Sequence, residues 1–169
     1  MTELRGRRTD GHPERGDLGL LTPELAARIG EEAVYTAPEP LGRAAIRYFA
    51  LATGDTDPAH LAGEVAPPTL ICETNQYAGV ARDEDGYAGH GWHLTVPGTR
   101  LVRGGNSYRF ERPVGPDDVV TATWRLADMQ ERVTGSGKHM LVVTSTATYT
   151  DQSGRLLATN EETLIYVER

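Results

Sequence analysis

Apolar and polar positions follow two different rhythms along the chain. Up to about residue 80, apolar residues recur at helical spacing; from Leu101 onward they alternate with polar ones at the two-residue period of a strand. Residues 1–19 precede both patterns. They are rich in Arg, Gly, Asp and Glu and nearly devoid of apolar side chains, so they bury too little surface to offset the entropy of ordering. A flexible tail is expected there, followed by a single domain over residues 20–169.

Thr22-Pro23-Glu24 predicts a helix start: Thr caps, Pro suits the first turn, and Glu suits the positive end of the helix dipole. Leu25, Ala26 and Ile29 give it a short apolar face, and Gly30 ends it. Residues 32–37 read as a short strand, closed by Pro38 and Pro40. Residues 43–53 read as a second helix whose core face is Ala45, Ile46, Phe49 and Ala50, stopped by Gly54. Residues 65–69, with Pro67 and Pro68, form a rigid approach to a third segment. There Leu70, Ile71, Cys72, Tyr77, Ala78 and Val80 predict a buried central helix over residues 70–80. Its polar residues Glu73, Asn75 and Gln76 line a pocket or face a partner subunit. Residues 82–99 are rich in Gly, Asp and His and read as loop. Beyond them come strands over residues 101–112, 119–127, 140–150 and 156–167. They are separated by the turn at residues 113–118 and by hairpin turns at residues 135–138 and 151–154. Four antiparallel strands in meander order are expected, and the whole is α+β.

Composition narrows the function classes. With 169 residues and 38% hydrophobic content, the chain is long enough for one domain with a sizeable core. A net charge of -7 argues against a nucleic-acid partner. It leaves room for a phosphate-bearing ligand at a local basic patch, for which Arg100, Arg103 and Arg109 are candidates, each equally readable as a solvated strand residue. The single cysteine, Cys72, cannot form an intrachain disulfide and sits in an apolar run without a basic neighbour, so it reads as core rather than nucleophile. No apolar run is long enough to span a bilayer, and no apolar signal core follows the first charged residues. A cytoplasmic protein without membrane association is expected.

Chemistry concentrates in residues 53–61. Asp55 and His60 stand either side of a turn built by Gly54, Asp57 and Pro58. An acid/base pair on a stiff turn suits proton transfer beside a carbonyl: imidazole exchanges protons near neutral pH, and a carboxylate positions a water or hydroxyl. The same residues also describe an ordinary helix-ending turn. His90 and His93 have the spacing of a metal pair but lack further ligands, so no metal is expected. Trp92 and Tyr87 read as cover for an apolar channel or a dimer surface.

Residues 49–60, Phe-Ala-Leu-Ala-Thr-Gly-Asp-Thr-Asp-Pro-Ala-His, resemble the signature of the MaoC-like, R-specific enoyl-CoA hydratases and (3R)-hydroxyacyl thioester dehydratases. That pattern reads Gly-Asp-x-Asn-Pro-hydrophobic-His; here Asp57 stands for Asn and Ala59 for a larger aliphatic. Residues 65–72 resemble the start of that family's central helix. Residues 104–117 resemble its Gly-Gly-Gln strand and the following Arg-Pro turn, with Asn106 in place of Gln. The resemblance implies a hotdog fold, an antiparallel sheet wrapped around a long central helix. It implies reversible hydration of a 2-enoyl thioester, with Asp55 and His60 as the catalytic pair. The substrate would be an acyl-CoA or acyl-carrier-protein thioester, whose CoA or phosphopantetheine is part of the substrate, with no separate cofactor. It also implies a homodimer or a heterodimer with another hotdog chain. Many family members carry a glycine amide in the oxyanion hole at the helix start; here Pro67 and Pro68 have no amide hydrogen, which leaves Thr69 as the candidate donor. Two other readings stay open: an acyl-binding, non-catalytic subunit of a heterodimeric dehydratase, and a hotdog lyase or cyclase of natural-product biosynthesis.

Overall fold

A computed structural model describes residues 19–72, 74–83 and 86–169. The expected tail, except Gly19, lies outside the described residues. Thr22 accepts the Leu25 amide and starts α1 (Pro23–Ala26), and β1 (Glu32–Thr36) follows. The helix α2 (Arg43–Thr53) buries Ile46 and Ala50, and α3 (Pro58–Ala62) follows across a four-residue link. The strands β2 (Thr99–Phe110), β3 (Thr121–Val133), β4 (His139–Thr150) and β5 (Leu156–Glu168) make up the second half.

All five strands join one antiparallel sheet in the order β1-β3-β4-β5-β2. Alternation decides its buried face. Ala122, Trp124 and Leu126 of β3, Leu141, Val143, Ser145, Ala147 and Tyr149 of β4, and Leu157 and Ala158 of β5 are all buried. Leu25, Ile46, Leu70, Ile71, Tyr77, Trp92 and Leu94 from the first half share one core with them.

Two expectations are corrected. The segment over residues 70–80 is not a continuous helix. Two 3-10 turns, Pro68–Cys72 and Asn75–Tyr77, carry its buried residues. The cause is local: the buried Gln76 side chain donates from Nε2 to the Ile71 carbonyl at 2.8 Å. In an α-helix that carbonyl would accept the Asn75 amide. The Asn75 side chain bonds elsewhere, donating from Nδ2 to the Glu39 carbonyl at 3.2 Å. The α+β sheet-over-helix plan therefore survives with a shortened, tighter central element. The second correction concerns strand order. Only β3, β4 and β5 form a meander; β2 crosses to the far edge and pairs with β5, from Thr99 opposite Glu168 to Phe110 opposite Ala158. The side of β3 that a meander would give to β2 is occupied by β1, with Val34 opposite Thr123. β3 also runs past residue 127 to Val133, because a bulge between Leu126 and Asp128 lets pairing continue. Among the described residues, no helix is long and apolar enough to cross a membrane.

Candidate active site

The α2–α3 corner is assembled almost wholly from local bonds. Gly54 ends α2 in the left-handed region at φ 69°, a conformation that costs a residue with a Cβ but not glycine. Its amide and that of Asp55 return to carbonyls of the last helical turn, Asp55 N to Ala50 O at 2.9 Å. Asp55 Oδ1 then accepts the Asp57 amide at 2.9 Å, closing an Asx-turn. Asp57 caps α3 by accepting the Ala59 amide at 2.8 Å, and Pro58 fills the first helical position, which needs no amide donor. One turn of helix later comes His60, whose Nδ1 lies 2.7 Å from Asp55 Oδ2.

This contact sets the chemistry of the ring. A carboxylate only accepts, so Nδ1 carries the hydrogen and donates it, leaving Nε2 with its lone pair when the ring is neutral. The Asp57 amide first, and the His60 ring second, hold the Asp55 carboxyl below its ordinary value. Both side chains are mostly covered, at 16% and 24% exposure. His60 lines a cleft of about 380 Å³ together with Val65, Ala66, Pro68, Phe110 and Arg112. The cleft wall is apolar apart from His60, Glu111 and Arg112.

Sequence gives little cue to Arg112. It stands in the Arg-Pro turn after β2, and its role comes from partners distant in the chain. Its Nη2 donates to Asp151 at 2.6 Å and to Asp118 at 3.4 Å. Its Nε is buried with no protein acceptor. The result is a cation fixed on the wall beside His60, which holds the 113–118 turn against the β4–β5 turn.

The oxyanion position is poorer. Ala66 N donates to Val114 O at 2.8 Å, Val65 N lies 3.5 Å from Ala59 O, and Pro67 and Pro68 have no amide hydrogen. Thr69 is exposed in the first 3-10 turn and is not among the residues lining the cleft. The candidate phosphate ligands are spread along β2: Arg103 faces Glu162 at 3.6 Å, Arg109 pairs with Glu111 at 2.7 Å, and Arg100 is exposed. Cys72 is buried in the core. His90 and His93 form no group of three or more potential metal ligands among the described residues. His90 is buried in an aromatic cluster, and burial together with the charge of His93 pushes its pKa down to about 4.

Residues 27–160 match the family described as FAS1-like, dehydratase domain region. A "UPF0336 protein" of Streptomyces coelicolor is 31% identical over 105 residues, 56% of this chain and 66% of that relative, so the match spans just under two thirds of the relative's length. Among solved structures, the ChsH1-ChsH2 complex of Mycobacterium tuberculosis aligns with TM-score 0.60 at 18% identity, over 84% of this chain and 86% of that one. A MaoC-like dehydratase of Rhodospirillum rubrum aligns with TM-score 0.56 at 16% identity, over 83% and 93%. At these identities the structural likenesses show the fold, the hotdog architecture.

Proposed function

From a chain that belongs to the FAS1-like dehydratase-region family, we propose a hydro-lyase acting on the 2,3 bond of an acyl thioester through Asp55 and His60. The observation that carries this reading is the 2.7 Å contact between the two side chains, which sets His60 at the wall of a mostly apolar cleft. In the dehydration direction the C2–H bond of a 3-hydroxyacyl thioester breaks and its proton passes to His60 Nε2. The C3–O bond breaks, and the departing hydroxyl takes a proton back from the imidazolium and leaves as water. The double bond forms between C2 and C3, and atoms and charge balance. Asp55 keeps the ring in the tautomer this requires, steadies the imidazolium, and polarises the water in the reverse reaction. The CoA or phosphopantetheine arm belongs to the substrate in this scheme.

The test is direct. Wild-type protein mixed with crotonyl-CoA, and with longer enoyl thioesters, should lose enone absorbance as water adds. His60→Ala and Asp55→Asn should each lower that rate at least about a hundredfold, the usual scale of positioned acid–base groups, with circular dichroism unchanged. Undiminished turnover in His60→Ala would overturn the assignment.

A second reading is favoured by one observation: the cleft's backbone approach offers no amide for the thioester oxygen, because positions 65 and 66 are engaged and 67 and 68 are prolines. Losing such a donor costs roughly 3–4 kcal/mol of transition-state stabilisation in a hydrolase. On this reading a second hotdog chain completes the site, and the present chain serves as one half of a heterodimer. The same assay separates the two, since this half alone would be inactive and would gain activity only with a co-expressed partner. In the homomeric reading Thr69 remains the proposed donor.

A further inference from the structure

The solvent side of α2 has the wrong composition for a free surface. Ile46 and Ala50 are buried and Phe49 is half-buried, so the helix packs on the fold along one narrow stripe. At about 100° per residue, Ala44, Ala45, Leu51 and Ala52 fall within about 60° of Tyr48 on the opposite side. All five are exposed, Tyr48 at 70% and Leu51 at 59%. Ala45, expected in the core, is one of them. A surface helix ordinarily sets charged and polar residues there. Residues 43–53 contain no Asp or Glu, and their charges are Arg43 and Arg47.

The two arginines share one border of this stripe, about 100° and 140° round from Tyr48. Arg47 gives Nε to the Leu61 carbonyl at 3.3 Å, a neutral acceptor. Arg43 lies 4.0 Å from Glu64, at the outer limit of an ion pair, and both side chains are exposed. In water such contacts hold little of either charge, so both remain for a partner. The patch is thus apolar with a cationic border, in a chain of net charge -7. It also ends at the proposed catalytic corner. Leu51 and Ala52 belong to the last turn of α2, and Asp55 follows with its amide returned to the Ala50 carbonyl at 2.9 Å. Charge decides what fits. A second copy packed antiparallel about Tyr48 would set each Arg47 beside its own duplicate, and like charges brought together at an interface oppose association. Residues 1–18 carry as many arginines as carboxylates and few apolar side chains, so they match neither part of the patch. An acidic protein surface with an apolar ridge matches both.

We propose that the face of α2 centred on Tyr48 and Leu51 and bordered by Arg43 and Arg47 docks an acidic carrier protein, which delivers the acyl thioester on its phosphopantetheine arm. The proposal rests on the thioester reading above and narrows it to a protein-borne substrate. Tyr48 and Leu51 are the apolar anchors, and the arginines orient the acidic surface, so binding weakens as salt rises. The helix that receives the carrier ends in the turn that holds Asp55 and His60, which places the root of the arm beside the reacting groups.

Binding is read first, without turnover. Nitrogen-15-labelled protein is titrated with an unlabelled acyl-carrier protein of net negative charge that lacks its phosphopantetheine arm. Backbone amides of residues 44–53 should shift saturably, and the affinity should fall as salt is raised. The double variant Tyr48→Ser/Leu51→Ser and, separately, Arg47→Glu should each weaken binding about tenfold, with circular dichroism unchanged. Absence of binding, equal binding by the variants, or shifts confined to other elements overturns the proposal. So does self-association, or affinity for phosphatidylglycerol vesicles, that takes the place of carrier binding and is abolished by the same double variant. In the hydration assay the double variant should lower kcat/KM about tenfold for the crotonyl carrier thioester and leave crotonyl-CoA unaffected. Equal losses on both substrates overturn the proposal. If no thioester is hydrated while carrier binding still maps to α2, the catalytic reading fails and the docking face is upheld. Hydration of crotonyl-CoA without carrier binding gives the reverse.

Discussion

The two oxygens of Asp55 have different duties, and Asp57 makes the division possible. Oδ1 holds the Asp57 amide and Oδ2 holds the imidazole, so the carboxylate is locked at both ends before any substrate arrives. Asp57 adds the cap of α3, the helix that carries His60. Asp57→Ala leaves the Asp55 bond to the backbone amide of residue 57 but removes the cap. A loss of about 1 kcal/mol is the usual cost of such a truncation. The expected outcome is a modest fall in the urea midpoint with a larger fall in turnover, since a frayed α3 lets the imidazole drift off Oδ2. Unchanged turnover at reduced stability would show that the cap serves only the fold. The sign of the electrostatics is also fixed here. Asp55 has a depressed folded-state pKa, so its contribution to stability is complete above the ordinary carboxylate value and is lost as pH falls through the depressed one.

At the scale of elements, the corner depends on how closely α3 approaches α2. Gly63 ends α3 at φ 72°, and a Cβ there would stand 2.5 Å from the Arg43 carbonyl oxygen, a backbone atom that cannot swing aside. Gly63→Ala therefore combines left-handed strain with a main-chain clash, and a destabilisation of roughly 1–3 kcal/mol is expected. Thermal melting measures that cost, and the hydration assay should show His60 displaced with α3. What sequence made legible at this scale was whatever is built locally. Gly54, Asp57 and Pro58 announce their turn by type and spacing, and they bring Asp55 and His60 within reach of each other with no help from distant residues. The helical period over residues 70–80 misled because it records which positions are buried and says nothing of a side chain competing for the backbone. Gln76 takes the Ile71 carbonyl, and the segment tightens into 3-10 turns. The partner of β2 was hidden for a different reason. Alternation fixes which face of a strand is buried, whereas its neighbour depends on β1 already occupying the open side of β3. Arg112 was unreadable on the same grounds, since its anchors at Asp118 and Asp151 come together only when the 113–118 and β4–β5 turns meet.

For the molecule as a whole, the aromatic cluster around His90 couples stability to pH in a window of its own. The folded ring titrates near pH 4, against an ordinary value of 6.5, because burial and the nearby His93 both disfavour the charged form. Below pH 6.5 the unfolded chain takes up a proton at this residue and the folded chain does not, so stability declines as pH falls and the decline is complete near pH 4. A shift of this size corresponds to at most about 3 kcal/mol at 1.36 kcal/mol per unit. The carboxylates with depressed values act lower down. Asp55 and Asp151 fall below 3.8, and Glu131 falls below 4.5, held there by the Leu20 and Leu21 amides and by His139 against the opposing effect of burial. The interval from pH 6.5 to 4.5 is therefore where the His90 contribution can be read. Urea midpoints measured across it should fall for the wild-type protein, and His90→Phe, which keeps a ring between Trp92 and Trp124 but has nothing to protonate, should flatten the slope by the His90 share. An equal slope in both proteins would mean that the imidazole meets water in the folded state.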